Sequence, residues 1–290
     1  YSHNWGCTVK TLKSLKTPLR YPGGKSRAVT KMSQVFPDLN QYTQYREPFL
    51  GGGSVALWVT KQYPDIPVWV NDLYEPLYNF WTSLQKNGNS IQDKLLELKT
   101  ENNDHDKAKE LFIQCKEEVD DYSLPCEHRA TCFYVINKCS FSGLTEASSF
   151  SKQASDSNFS IRGIERLCEY QKLITNWKIT NYSYERLLGG EVIGEVKDAF
   201  IYLDPPYDIG SNLYGKKGSM QKYFMHGEFS NKCNESTQDL LVSYNSSQLI
   251  KDRFKDWKAV EYEHTYTMRS TVTYTKEQRD RKELVLLNYA

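Results

Sequence analysis

Ala199-Phe-Ile-Tyr-Leu-Asp-Pro-Pro-Tyr207 decides how this 290-residue chain is read. Five apolar or aromatic residues in a row predict a strand buried on both faces, as in a sheet covered by helices. The two prolines end that strand, remove two N–H donors and leave carbonyls free. An acid, a carbonyl and an aromatic ring are thereby held together at a strand's carboxyl end, where open α/β sheets bind ligands.

Working outward, Val68-Trp-Val-Asn-Asp72 predicts a short strand, and Leu240–Asn245 and Glu283–Asn288 predict two more. Helical spacing runs from Ile91 to about Glu118, and again over Ile161–Trp177 and Gln248–Phe254. Strands alternating with helices predict an α/β fold with a Rossmann-like, mostly parallel sheet. The stretch from Gln85 to Gln171 differs, being helical and acidic first and then Ser-rich from Cys139 to Ser160. The Ser-rich part has too many turn formers for a packed element and reads as a loop or hairpin. Residues 85–171 are therefore expected to be a helical insert in a body made of 1–84 and 172–290.

Arg46-Glu-Pro-Phe-Leu-Gly-Gly-Gly-Ser54 puts three glycines ahead of a helix expected at Ser54–Thr60. Such a loop lets backbone approach a ligand, although a tight turn without ligand would use the same residues. Asn71-Asp72 follows about twenty residues later, where a carboxylate holds ribose hydroxyls in nucleotide-binding crevices. The alternative role for Asp72 is to cap the helix beginning near Tyr74-Glu75-Pro76.

Composition excludes little. The formal net charge is +1, but residues 1–37 carry seven basic side chains and no acidic one, whereas Asp93–Asp121 carries ten acidic ones. This polarity fits one face turned to phosphates, or simply two solvated faces. Seven cysteines form no framework. Cys126, Cys132 and Cys139 lack the tight pairing of zinc sites and no suitable His pair stands nearby, so no metal is expected. With no signal peptide or long apolar run, reduced thiols in a cytoplasmic protein are expected, and the Asn-X-Ser/Thr sequons carry no meaning.

Taken together the motifs resemble those of the DNA adenine methyltransferase (Dam) family, over nearly the whole chain from Pro18. Leu19-Arg-Tyr-Pro-Gly-Gly-Lys25 is similar to its N-terminal cofactor motif, Glu47–Ser54 to its glycine-rich loop and Asn71-Asp72 to its acidic second strand. Asn137-Lys-Cys-Ser-Phe-Ser-Gly-Leu-Thr145 resembles the start of its target-recognition hairpin, and Asp204–Tyr207 its catalytic tetrapeptide. Leu241–Asn245 and Lys282–Tyr289 resemble the strands that follow. Two departures stand out. Glu146 and serines follow the hairpin's Gly-Leu where the family often has a basic residue, and Phe229–Leu240 is short for the usual helix.

The resemblance implies methyl transfer from S-adenosyl-L-methionine to N6 of a flipped-out adenine in double-stranded DNA, at a short site such as GATC. Asp204, Pro205, Pro206 and Tyr207 would be catalytic. Tyr21, Gly24, Lys25, Phe49, Gly51, Gly53, Asp72, Tyr182, Ser183 and Asp204 would hold the cofactor. Asn137, Ser140, Phe141, Ser142, Gly143 and Leu144 would meet DNA. Lys216, Lys217 and Lys222, in a Lys- and Tyr-bearing segment from Ile209 to Lys232, would touch phosphates or belong to a plain solvated loop. The rival readings are an N4-cytosine or RNA adenine methyltransferase, and a DNA-binding protein that has lost catalysis. A nicotinamide dehydrogenase would leave Asp-Pro-Pro-Tyr without a role.

Overall fold

A computed structural model of the chain describes residues 17–21, 29–141, 148–189, 198–208, 223–263 and 282–289. Its frame is a seven-stranded sheet. In chain order the strands are β1 (Gln44–Glu47), β2 (Val68–Asn71), β3 (Lys178–Thr180), β4 (Ala199–Leu203), β5 (Asp239–Asn245), β6 (Lys258–Glu263) and β7 (Lys282–Leu287). Their spatial order is β3-β2-β1-β4-β5-β7-β6. The first five are parallel neighbours, and β7 runs antiparallel between β5 and β6. The expected Rossmann-like, mostly parallel sheet is thus present. Chain direction across the sheet reverses between β1 and β4, which makes their carboxyl ends the switch point.

Side chains of β4 divide the core. Phe200 and Tyr202 enter the cluster beneath α1 (Val29–Met32), α2 (Ser54–Gln62) and α3 (Glu75–Glu101). Ile201 and Leu203 enter a second cluster on the opposite face, beneath α9 (His226–Glu235) and α10 (Gln248–Arg253). Residues 85–171 hold the second part of α3, then α4 (His105–Glu118), α5 (Cys126–Cys139), α6 (Lys152–Asn158), α7 (Ile161–Glu165) and most of α8 (Leu167–Leu173). The helix α3 passes through residue 85, and its helical geometry breaks at Asn87 (φ −132°, ψ 34°).

Three local expectations are corrected. The helical run from Ile91 to Glu118 is two helices, because Asn102 leaves helical geometry and Asp104 starts a new helix by accepting from Lys107 N at 2.9 Å. The end of the Ser-rich stretch is helical, since Ser151 caps α6 by accepting from Ala154 N. A single antiparallel bridge, Ser140 to Phe150, precedes it. The helix before β5 is present after all; it begins at His226, upstream of the apolar Phe229 from which the spacing was counted. Strands β1, β3 and β6 were not expected from the sequence.

Candidate active site

The loops leaving β1, β2 and β3 are tied by one buried side chain. Asn71 at the end of β2 donates to Pro48 O at 3.1 Å and Tyr182 O at 2.9 Å, and its Oδ1 accepts from Tyr182 N at 2.7 Å. Next to it, Asp72 accepts from Gly51 N and from Tyr74 N, each at 3.0 Å. The tie to Tyr74 fixes the turn that leads into α3 but does not cap the helix, whose N-cap Tyr74 makes no side-chain cap bond.

That loop needs glycine for packing. Gly53 has φ +75°, and a Cβ there would lie 2.7 Å from the Trp81 ring. Gly51 has φ +54° and sits under Tyr21, whose ring would be 3.0 Å from an added Cβ. Trp81 Nε1 donates to Gly51 O at 3.1 Å, which locks the turn onto α3. Segment 17–21 lies over this turn, with Thr17 Oγ1 donating to Gly52 O.

The Asp-Pro-Pro-Tyr segment leaves β4 directly beside these loops, since β4 is the hydrogen-bonded neighbour of β1. Asp204 and Pro206 are half-buried, and Pro205 and Tyr207 are buried. The Tyr207 hydroxyl donates to Glu283 on β7, and its ring stacks on Tyr244 of β5 at 6.3 Å between centroids. After it, Asp208 N donates to Asn245 Oδ1 at 3.0 Å, so β5 fixes the far end of the turn.

Carboxyl groups gather at this edge. Glu47, fully buried at the end of β1, is held well above the usual carboxylate range by burial, with Asp204 and Asp72 adding to it and the Tyr45 hydroxyl opposing. Burial likewise pushes Asp72 up to about 6, against its two backbone donors. Tyr202 reaches the same place on β4; its buried phenol faces Asp204 and Glu47 and has no hydrogen-bond partner among the described residues.

A family model for D12 class N6 adenine-specific DNA methyltransferases matches residues 21–268, most of the chain. The chain belongs to this D12 class. It is also 25% identical over 206 residues to the Type II methyltransferase M.MjaIII of Methanocaldococcus jannaschii, covering 67% of this chain and 69% of that one. Among solved structures it is similar to the rRNA methyltransferase aviRa from Streptomyces viridochromogenes over 97% of this chain and 93% of that one, at 11% identity and a TM-score of 0.35.

In this D12-class methyltransferase the structure brings Tyr21, Phe49, Gly51, Gly53, Asp72 and Asp204 to one edge of the sheet. Tyr182 follows β3 with the Arg186 guanidinium 3.6 Å from its ring centroid, and Ser183 is exposed at the start of the turn Tyr184–Leu187. Asn137 and Ser140, expected to meet DNA, are fully buried and hold Arg20. Arg20 N donates to Asn137 Oδ1 at 2.8 Å, and Arg20 Nη1 donates to Ser140 O at 2.9 Å. The end of α5 is thereby tied to the N-terminal segment that covers the glycine turn. Phe141 is exposed. Gly24, Lys25, Ser142, Gly143, Leu144, Lys216, Lys217 and Lys222 lie outside the described residues.

Sequence reasoning placed Glu47 and Asn71 in motifs without giving either a role of its own, and it passed over Tyr202 and Glu283. It also missed an aromatic group around Phe49, in which Tyr184 stacks at 5.5 Å and Phe224 and Phe229 pack edge-on at 5.8 and 5.9 Å. The signal for Glu47 was present, because it directly precedes Pro48 and the glycine run. Nothing local marks Glu283, which comes from a strand 76 residues after Tyr207. Among the described residues no helix is long and apolar enough to cross a membrane.

Proposed function

We propose that the chain methylates N6 of an adenine flipped out of double-stranded DNA, at a short site of the GATC kind. In this reading 1–84 and 172–290 form the catalytic body and 85–171 the target-recognition insert. The Type II relative supports a restriction-modification setting. The observation that carries the reading is the Asp204–Tyr207 turn at the switch point, beside the glycine turn of β1, in a chain of the D12 class.

When bound, S-adenosyl-L-methionine supplies an electrophilic methyl group on a cationic sulfur. The donor set fits such a group. Glu47, Asp72 and Asp204 make the crevice rich in carboxyls, and Tyr202 keeps an orphaned phenol there. A cationic ligand relieves the cost of crowding these acids. Tyr21, Gly24, Lys25, Phe49, Gly51, Gly53, Asp72, Tyr182, Ser183 and Asp204 are assigned to holding it. Asp72 still has lone pairs for ribose hydroxyls beyond its two backbone donors.

Adenine N6 is a poor nucleophile because its lone pair is delocalised into the ring. The Asp204 carboxylate and the Pro205 carbonyl would accept its two hydrogens and favour a pyramidal nitrogen. Each such charge-assisted bond is worth roughly 1.5–3 kcal/mol. Pro205 and Pro206 hold these acceptors rigid, and orientation supplies much of the remaining rate. Asp204 is also the first acceptor for the proton shed by the methylated nitrogen. A base taken out of the duplex needs a new stack. Tyr207 offers it, with Tyr244 backing one face of its ring, for about 1–3 kcal/mol. Phe141, Ser142, Gly143 and Leu144 are assigned to DNA, with Asn137 and Ser140 shaping that segment through Arg20. Lys216, Lys217 and Lys222 are assigned to phosphates.

The test is transfer from labelled S-adenosyl-L-methionine to unmethylated double-stranded DNA, followed by nucleoside analysis. N6-methyladenine is expected. N4-methylcytosine, or transfer only to RNA, would overturn the assigned substrate.

A further inference from the structure

We propose that Glu118, His128 and Cys132 form a binding site for one divalent cation of the zinc class, clamping α4 to α5. Three ligand atoms of different residues, one from each, lie within 4.8 Å of one another, although ten residues separate Glu118 from His128 in sequence. The antiparallel packing of α4 on α5 brings them together. On α5, His128 and Cys132 are four apart and so share a face.

The distances suit a tetrahedral ion. Cys132 Sγ lies 3.6 Å from Glu118 Oε2 and 3.6 Å from His128 Nε2. Zinc bonds of about 2.3 Å to sulfur and about 2.0–2.1 Å to nitrogen or oxygen, at tetrahedral angles, put such atoms roughly 3.6 Å apart. His128 Nε2 and Glu118 Oε2 are hydrogen-bonded at 2.6 Å, so this edge must open by about 0.7 Å to reach the separation a tetrahedral ion demands. The side chains of His128 and Glu118 are 39% and 26% exposed, which permits both that movement and entry of the ion. Cys132 is 2% exposed, so its sulfur is the buried corner of the triangle. Gln114 Nε2 donates to the other Glu118 oxygen at 2.9 Å and orients the carboxylate, as outer partners do at metal sites. Water would complete the coordination on the open side. This chemistry lies on the helical segment and is separate from the Asp204 crevice.

The purified full chain, kept reduced, is titrated with Zn²⁺ by calorimetry and with Co²⁺ by absorption. One equivalent should bind, and cobalt should give the intense near-ultraviolet band of thiolate ligation with the visible bands of a tetrahedral ion. His128→Ala, a half-exposed position whose loss leaves the core intact, should weaken binding by at least about tenfold. Cys132→Ser should abolish the thiolate band, with folding checked by circular dichroism. Cys126→Ser, an exposed thiol on the same helix, should change nothing. Absence of the cobalt–thiolate band in the wild-type chain, or unchanged affinity in His128→Ala, would overturn the site.

Discussion

The crevice at the sheet edge and the helical segment 85–171 bury charge in opposite ways. In the helical segment, Arg129 is 2% exposed and forks onto both oxygens of Glu75, at 3.1 and 2.5 Å, while its Nε donates to Val119 O at 2.9 Å. That charge is fully answered, and it ties α5 to the start of α3 and the end of α4. In the crevice, Glu47 and Asp72 are just as deep, yet their hydrogen bonds among the described residues come from a phenol and two backbone N–H groups. Neutral donors do not offset burial, which is why both carboxyls are pushed up. Answered charge holds a fold together. Charge left to neutral partners is kept for a ligand, at some cost to stability.

The contrast breaks if Asp204 and Asp72 prove to act through stability alone, or if changes in the helical segment act on chemistry. Asp204→Ala should cut turnover by at least about a hundredfold, the loss of a charge-assisted bond and its positioning, while DNA still binds. Normal turnover by the purified variant would remove Asp204 from the mechanism. Arg129→Ala should cost about 2–3 kcal/mol of stability in a denaturant titration, because the guanidinium's bonds to Glu75 and Val119 O are lost. The fraction still folded should methylate at the parental rate.

Asp72→Asn should weaken S-adenosyl-L-methionine binding by roughly tenfold, the value of one lost charged hydrogen bond. The parent's affinity should fall as pH drops through about 6, where Asp72 takes up its proton, and calorimetry on the variant should show that fall flattened. Stability runs the other way. A carboxyl raised by burial stabilises the fold most below its ordinary pKa and loses that contribution as pH climbs through about 6. The smallest effect is expected from Tyr207→Phe, which removes the hydroxyl bonded to Glu283 and costs about 1 kcal/mol in thermal unfolding. Its ring remains, so turnover should persist, whereas Tyr207→Ala should lose it. Equal turnover losses in the two variants would assign Tyr207 to Glu283 and not to the base.

Much of the site was legible because its signals are short-range. An apolar run followed by Pro-Pro is a strand and its end whatever surrounds it, and β4 with Asp204–Tyr207 is where that reading put it. Gly51 and Gly53 were legible as a turn, but their reason was not. Only the fold sets Trp81 and Tyr21 against them. Strand β1, Gln-Tyr-Arg-Glu, was unreadable from its letters, since four consecutive buried residues there include three polar ones. Arg46 is held by Gln44 Oε1 and Leu187 O, and Glu47 takes a bond from Tyr45, partners that only the fold supplies.

By itself, then, the sequence determined the parallel α/β frame, the two turns at its switch point and the family to which their residues belong. These depend on local periodicity, on proline's missing N–H and on glycine's positive φ. Tertiary structure alone decided which polar groups are answered. It gave Asn137 and Ser140 to Arg20, some 117 and 120 residues away, Tyr207 to Glu283, and Glu118 to His128 and Cys132 across two helices. A hydrogen bond or a ligand triangle depends on distances of a few ångströms between atoms far apart in the chain, and packing sets those distances.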